Sequence, residues 1–231
     1  MVRKSEKMKE NARNDLSFAL DEITSLNIYD VSDKIIRKKL RKKEMLFREG
    51  DASKYLYFMV SGKVKAFKTN DQGKEYITQV YKEKDFFGYS SLLESNTYLD
   101  TAVAMEDSEV ACIAKQDFYP LLSSNNRLFS NFIKFVTSEL SDSNDKLLGL
   151  AYNSARKRVS EAIIFLGKKY YDELKNEISF PVCRDDISAI SGVSPESVSR
   201  NLTDLRTEKL IELQHGLVKI IDLKKLQNLK N

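Results

Sequence analysis

Arg184-Asp185-Asp186-Ile187-Ser188-Ala189-Ile190-Ser191-Gly192-Val193-Ser194-Pro195-Glu196-Ser197-Val198-Ser199-Arg200-Asn201-Leu202 is the stretch whose reading decides the fold. Ile187, Ile190 and Val193 recur at the spacing of one helix face and point inward from a first helix and its turn. Ser188 is small enough for a second helix to cross closely. Gly192 suits a sharp turn, because a positive φ costs glycine least. Ser194 is a good helix cap and Pro195 a good first helical residue. Val198 and Leu202, four apart, return to the core, which leaves Glu196, Ser197, Ser199, Arg200 and Thr203 on the other side. The logic is that of a helix-turn-helix. The exposed end of its second helix carries side chains that match base edges in a major groove: Arg for guanine, Glu for the cytosine amine, Ser for several edges.

The following residues extend this reading. Leu210-Ile211-Glu212-Leu213, Gln214-His215-Gly216 and Leu217-Val218-Lys219-Ile220-Ile221 form a strand, a turn and a strand, the wing of a winged helix. A lone His215 at the hairpin tip is no metal site; it is either a phosphate contact or exposed decoration. Working backward, Ala155 to about Tyr171 reads as a helix anchored by Ile163 and Leu166, with Asn153-Ser154 as hinge or cap. Residues 126–152 read as one helix about 40 Å long. On it Ile133, Val136, Leu140, Ser143, Leu147 and Leu150 follow a 3-4-3-4-3 spacing, a heptad seam with one polar interruption that suits a partner helix. Phe129, Phe132 and Phe135 are left to pack on the chain's own N-terminal part.

Between residues 44 and 114 the pattern is one of short strands: Tyr55–Val60, Lys63–Phe67, Tyr76–Tyr81, Ala102–Met105 and Val110–Ala114. Gly50-Asp51, Ser61-Gly62, Asp71-Gln72-Gly73 and Gly88 punctuate them, as in an antiparallel barrel or jelly roll. Residues 12–28 read as a short amphipathic helix. The basic run Arg37–Lys43 reads as a solvated edge before the first strand. The expected fold class is α+β: a helix and β-roll over 1–125, a long dimerisation helix over 126–152 and a winged helix-turn-helix over 153–231.

Composition sets the outer bounds. The chain has 231 residues, 42% hydrophobic and 31% charged, as a soluble globular protein does. Its net charge of +4 is unevenly spread: residues 153–231 hold 14 basic and 11 acidic side chains, whereas residues 51–152 hold 11 and 14. The C-terminal part can therefore approach a polyanion. Two cysteines give neither metal spacing nor a disulfide framework. The charged N-terminus has no apolar signal core and no apolar run approaches a membrane span, so a cytoplasmic location and no membrane partner are expected. No P-loop, nucleophile elbow or His/Cys cluster supports an enzyme.

In Arg48-Glu49-Gly50-Asp51, Val60-Ser61-Gly62, Asp85-Phe86-Phe87-Gly88, the long helix and Ser194-Pro195-Glu196-Ser197-Val198-Ser199-Arg200, taken in that order, the chain resembles the Crp-Fnr family of bacterial transcription regulators. The resemblance covers residues ~25–222. It implies a cyclic-nucleotide-binding-type β-roll, a dimerising helix and DNA binding, with RNA polymerase as a further partner if the protein is an activator. The recognition segment is most similar to the fumarate-nitrate branch, which implies TTGA-type half-sites read by Glu196, Ser197, Ser199 and Arg200. Arg184 matches a position that contacts the DNA backbone. Ser194, His215 and Lys219 are further backbone candidates.

The resemblance weakens at the effector site, where Gly88, Tyr89, Ser90, Asp100 and Thr101 are the candidate residues. Cyclic-AMP-binding members carry Gly-Glu where this chain has Gly88-Tyr89, and Arg before Ser or Thr where it has Asp100-Thr101. The ribose-holding Glu is absent, and the phosphate-binding Arg is replaced by an anion. An iron-sulfur cluster needs about four thiolates, against Cys112 and Cys183 here, and a haem lacks a histidine in the roll. No cofactor is expected and the effector is unknown. A cyclic-nucleotide or small-ligand sensor module without promoter control is the alternative reading.

Overall fold

The computed structural model describes residues 35–94, 96–124, 126–171 and 177–229; the helix expected over 12–28 lies outside them. Among the described residues the N-terminal part holds eight strands. These are β1 (Ile36–Leu40), β2 (Met45–Phe47), β3 (Tyr55–Ser61), β4 (Val64–Thr69), β5 (Glu75–Tyr81), β6 (Phe86–Phe87), β7 (Thr101–Ala104) and β8 (Ser108–Ala114). They form two four-stranded sheets, ordered β1-β8-β3-β6 and β2-β7-β4-β5. Helix α1 (Tyr89–Glu94) follows β6, and α2 (Lys115–Ser124) and α3 (Asn126–Tyr152) follow β8.

Strand alternation sorts the core into two layers. Tyr57 and Met59 of β3, Val110 and Cys112 of β8 and Phe87 of β6 point into the roll, where Leu40, Phe47, Val64, Tyr98, Ala102 and Ala104 meet them. Their neighbours Leu56, Ile113 and Phe86 point the other way. There Tyr89 and Leu92 of α1, Phe118 and Leu122 of α2, and Phe132 and Phe135 of α3 cover them. Of the three phenylalanines expected to pack on the roll, Phe132 and Phe135 do so, while Phe129 is exposed. The basic run is not a lead-in to the first strand. Most of it is the strand: β1 spans Ile36–Leu40, pairs antiparallel with β8 and turns all but Leu40 to solvent. Arg37 there meets Glu109 at 3.1 Å.

The C-terminal part holds α4 (Ala155–Tyr170), β9 (Ser179–Pro181), α5 (Arg184–Ser191), α6 (Pro195–Thr207), β10 (Ile211–Gln214), β11 (Leu217–Ile220) and α7 (Leu223–Gln227). Ser154 caps α4, its Oγ accepting from the Lys157 amide at 3.3 Å. Helix α4 packs against α5, α6 and α7. Its Val159, Ile163 and Leu166 are buried, as are Ile187, Val198, Leu202, Leu205, Ile211 and Val218. The sheet has three strands, β10-β11-β9, one more than the sequence pattern suggested. Three residues are too few to show a period, and β9 is legible only through its pairing with Leu217–Lys219.

The described residues divide into two compact units, one drawn from those up to 66 and from 81 to 144, the other from 67–80 and from 145 onward. The division falls inside α3, not at its C-terminal end. In the second unit, Lys146 of α3 donates from Nζ to the Thr78 carbonyl of β5 at 2.9 Å.

Candidate nucleic-acid interface

The two helices of the motif are joined by a turn that three residues define. Gly192 closes α5 with φ +63° and donates from its amide to the Ser188 carbonyl at 2.8 Å. Ser188 does more than make room: its Oγ donates to the Val193 carbonyl at 2.6 Å, satisfying an acceptor the turn would otherwise strand. Ser191 is buried and donates to the Ile187 carbonyl at 2.7 Å. Val193 is buried, so the turn is pinned from within. Ser194 then caps α6, its Oγ accepting from the Ser197 amide at 3.4 Å, and Pro195 opens the helix.

Val198, Leu202 and Leu205 hold α6 against the core. The opposite face presents Glu196, Arg200 and Thr203 to solvent, with Ser197 and Ser199 half-buried between. Arg200 and Glu196 lie one turn apart. The Glu196 carboxyl is held below the usual carboxylate range, first by the helix-end amide, then by the Ser194 hydroxyl and the Arg200 charge. It is therefore an acceptor at neutral pH. Arg200 Nη2 reaches Ser197 Oγ at 3.4 Å, leaving the rest of the guanidinium fork available. Ser199 donates to the Pro195 carbonyl at 3.0 Å. With its proton so engaged it offers lone pairs rather than a donor. Asn201, which the sequence reading passed over, binds the Ser197 carbonyl at 2.8 Å and stiffens the same turn.

The other expected contacts are scattered around this helix end. Arg184 is exposed at the first position of α5 and Ser194 is exposed at the cap. His215 and Gly216 form the wing tip, with φ +49° and +76°, the left-handed pair a two-residue hairpin demands. Lys219 sits on β11, away from the tip, and meets Glu177 at 3.1 Å. That ion pair competes with any phosphate for the same ammonium. Arg158 of α4 was also missed. Its guanidinium lies beneath the turn, where a side chain at Gly192 would meet Arg158 Nη1 and Leu150 of α3.

The effector-site candidates differ in their surroundings. Tyr89 is turned into the core, edge-on to the rings of Phe132 and Phe135 at 5.7 and 5.4 Å. Ser90 is exposed. Thr101 Oγ1 accepts from the Glu49 amide at 3.1 Å. Asp100 is half-buried and lies close enough to Tyr81 to raise its phenol further; burial already pushes that phenol well up, and Tyr89, Glu139 and Asp85 add to the effect. The roll interior holds stacked rings. Phe47 lies on Tyr98 at 3.8 Å between centroids, Tyr57 on Phe87 at 5.2 Å, and Tyr81 on Phe87 at 4.5 Å. The Tyr98 and Tyr57 hydroxyls meet at 3.1 Å, and burial, then the Tyr98 contact, pushes the Tyr57 phenol upward. Both thiols are held up by burial, Cys183 also by Asp186, which opposes thiolate reactivity.

Along α3, Ile133, Leu140 and Leu147 are 48%, 62% and 63% exposed. Ser143 is exposed as well. Val136 is partly buried against the chain's own core, and Leu150 is half-buried beside the helix-turn-helix turn. The six seam candidates thus divide between an outward line and the chain's own packing. No helix among the described residues is long and apolar enough to cross a membrane.

Known proteins match the N-terminal and C-terminal parts by separate models. The family model for the cyclic nucleotide-binding domain matches residues 37–125, and that for the Crp-like helix-turn-helix domain matches residues 157–229. The cyclic AMP receptor protein of Thermus thermophilus is 29% identical over 175 residues, 76% of this chain and 79% of that protein. The transcriptional activator protein FnrA of Stutzerimonas stutzeri is 28% identical over 204 residues, 86% and 83% of the two chains. Among solved structures, FixK2 from Bradyrhizobium japonicum shares the fold with a TM-score of 0.76 at 22% identity, covering 85% of this chain and 98% of that one. A roll matching one model, a helix-turn-helix matching the other, and relatives spanning both in the same order place the chain in the Crp-Fnr family of transcription regulators.

Proposed function

We propose that the protein is a sequence-specific transcription regulator that binds duplex DNA as a homodimer, on an inverted repeat of TTGA-like half-sites, without control by cyclic AMP. The observation that carries the reading is the exposed Glu196–Arg200 turn at the N-terminal end of α6, braced by the cap and buried on its other side. An arginine fork there pairs with guanine O6 and N7, and an ionised glutamate one turn earlier accepts from the cytosine amine of the same pair. Two copies related by a twofold axis present two such helices about one helical turn apart. Arg184 and the Ser194 helix end approach the backbone, and His215 does so from the wing. If the protein is an activator, RNA polymerase is a further partner.

Selection of bound sequences from a random duplex pool tests this. The expected outcome is an inverted repeat with a G·C pair in each half. An enriched motif without twofold symmetry, or no enrichment, overturns it. Affinity for the selected site should fall steeply with salt. Two copies contacting roughly 6–10 phosphates lose about 10³–10⁵ in affinity between ~50 and ~200 mM salt, through counterion release. A flat dependence measured by fluorescence anisotropy would mean the interface is elsewhere.

Two features support independence from cyclic AMP. Asp100 stands where the resemblance places an arginine, so a cyclic phosphate would meet an anion, and stacked rings occupy the roll interior. Calorimetry with cyclic AMP is expected to show no site tighter than about 1 mM. A micromolar site would overturn this part of the reading and leave the DNA assignment intact.

A further inference from the structure

Helix α6 carries one more residue on its reading face than the Glu196–Arg200 turn. At about 100° per residue, Glu196, Arg200 and Thr203 lie within about 60° of one another around the axis, and Val198, Leu202 and Leu205 are buried on the opposite side. Thr203 is exposed. It stands about 4.5 Å beyond Arg200 along the axis, a step comparable to the ~3.4 Å rise between stacked base pairs. The next residue on this stripe after Arg200 is therefore placed for the neighbouring base pair. Its hydrogen bond limits what it offers there. Ser199, Thr203 and Thr207, on successive turns, each donate from the hydroxyl to the carbonyl four residues earlier, at 3.0, 3.0 and 2.9 Å. The Thr203 proton is thus engaged inside the helix and is not offered to a phosphate oxygen, which only accepts. The same bond holds the β-branched side chain in one rotamer and so fixes its γ-methyl. A small apolar group and the hydroxyl lone pairs are left for a partner.

We infer that Thr203 is a further specificity-determining residue, reading a thymine in the base pair next to the G·C pair of Arg200 through contact with its 5-methyl group. The inference rests on the DNA-binding reading above and deepens it by assigning a second base pair. Thymine is the base that presents a methyl group in the major groove, and a threonine methyl is a fitting contact for it. Thr207 makes the same back-bond on the same stripe, but it is the last residue of α6 and stands about 6 Å farther on. It serves as the control and not as a reader.

Uracil substitution tests this without removing any hydrogen-bonding group of the DNA, because deoxyuridine lacks only the 5-methyl group of thymidine. In the operator selected from the random pool, each thymine of one half-site is replaced in turn, and the full chain is titrated by fluorescence anisotropy. The wild type should lose about three- to fivefold in affinity at one position beside the G·C pair, the effect of one methyl group no longer buried. Thr203→Ser keeps the back-bond and lacks the methyl, so it should bind thymine and uracil there equally well. Thr203→Val keeps the methyl and should keep the preference, as should Thr207→Ser. Both positions are exposed, so none of these changes opens a cavity in the core. The inference is overturned, with the DNA assignment left standing, by a wild type indifferent to uracil beside the G·C pair or by a selected half-site with no thymine in either neighbouring pair. Retention of the preference by Thr203→Ser, or its loss in Thr203→Val, has the same consequence. Its loss in Thr207→Ser would mark a general effect of the helix and also overturn the assignment. A wild-type chain that enriches no sequence sinks the DNA-binding reading itself, a result distinct from all of these.

Discussion

Lysine at both Leu140 and Leu147 should convert the protein to monomers and weaken binding to an inverted-repeat operator by about 10²-fold or more. Both side chains are more than half exposed in the single chain, so neither change opens a cavity in its core, and the monomer should keep its thermal stability. In the paired state each lysine faces its counterpart across a dry seam, where like charges repel strongly and lose hydration. The operator then meets one helix-turn-helix at a time. Linking two half-site contacts raises avidity about 10²–10⁴-fold over one, and that factor is what disappears. Sedimentation and a gel shift on the same samples check it. A double variant that stays dimeric at micromolar concentration would put the seam elsewhere. A monomeric variant that keeps full operator affinity would instead remove the need for a dimer. Val136 is a poorer position for this test than the heptad pattern alone suggests, because a lysine there also disturbs the chain's own packing.

Replacing Arg200 by Ala should cost about 1–3 kcal/mol at the selected site and relax specificity at one base pair only. Guanine is the base that offers two acceptors to the guanidinium fork in the major groove. Losing the fork removes discrimination between that G·C pair and A·T, so the variant's affinities for the two sites should converge. Glu196 is left without its arginine but still accepts from the cytosine amine, which is why the loss is bounded. Arg184→Ala, at an exposed helix start, should instead weaken all sequences alike, as a backbone contact does. Anisotropy titrations of both variants on both duplexes resolve the two patterns. Equal loss on both duplexes for Arg200→Ala would make it a backbone contact and remove the base assignment.

How much of this could be read from the chain differs between its halves. Local chemistry determined the helix-turn-helix. Gly192, Ser194 and Pro195 punctuate it, and Ile187, Val193, Val198 and Leu202 set its inward face. Each of these acts within one or two turns of its own backbone, so no distant partner was needed to see it. The long helix emerged with its ends at 126 and 152, since a 3.6-residue period over seven turns leaves little ambiguity. The five short strands expected between 55 and 114 appeared within a residue or two, with turn residues marking their limits, whereas β1, β2 and β6 were not among them.

What only the tertiary structure decided depends on partners far apart in sequence. β9 is a strand because Leu217–Lys219 accept it as one. Tyr89 is a core residue because Phe132 and Phe135 come to meet it from the long helix; read locally, beside Gly88, it belonged to a pocket. Lys219, read alone as a free cation, has an ion-pair partner because Glu177 lies 3.1 Å from it. Val136, one of the seam candidates, is half-buried because α3 spends one face on its own roll. A heptad pattern fixes the period of a stripe but not its rotation. Positions 136 and 137 differ by only about 100° around the helix, and it is the packing of Phe132 and Phe135 that turns the first toward the core while the second stays exposed.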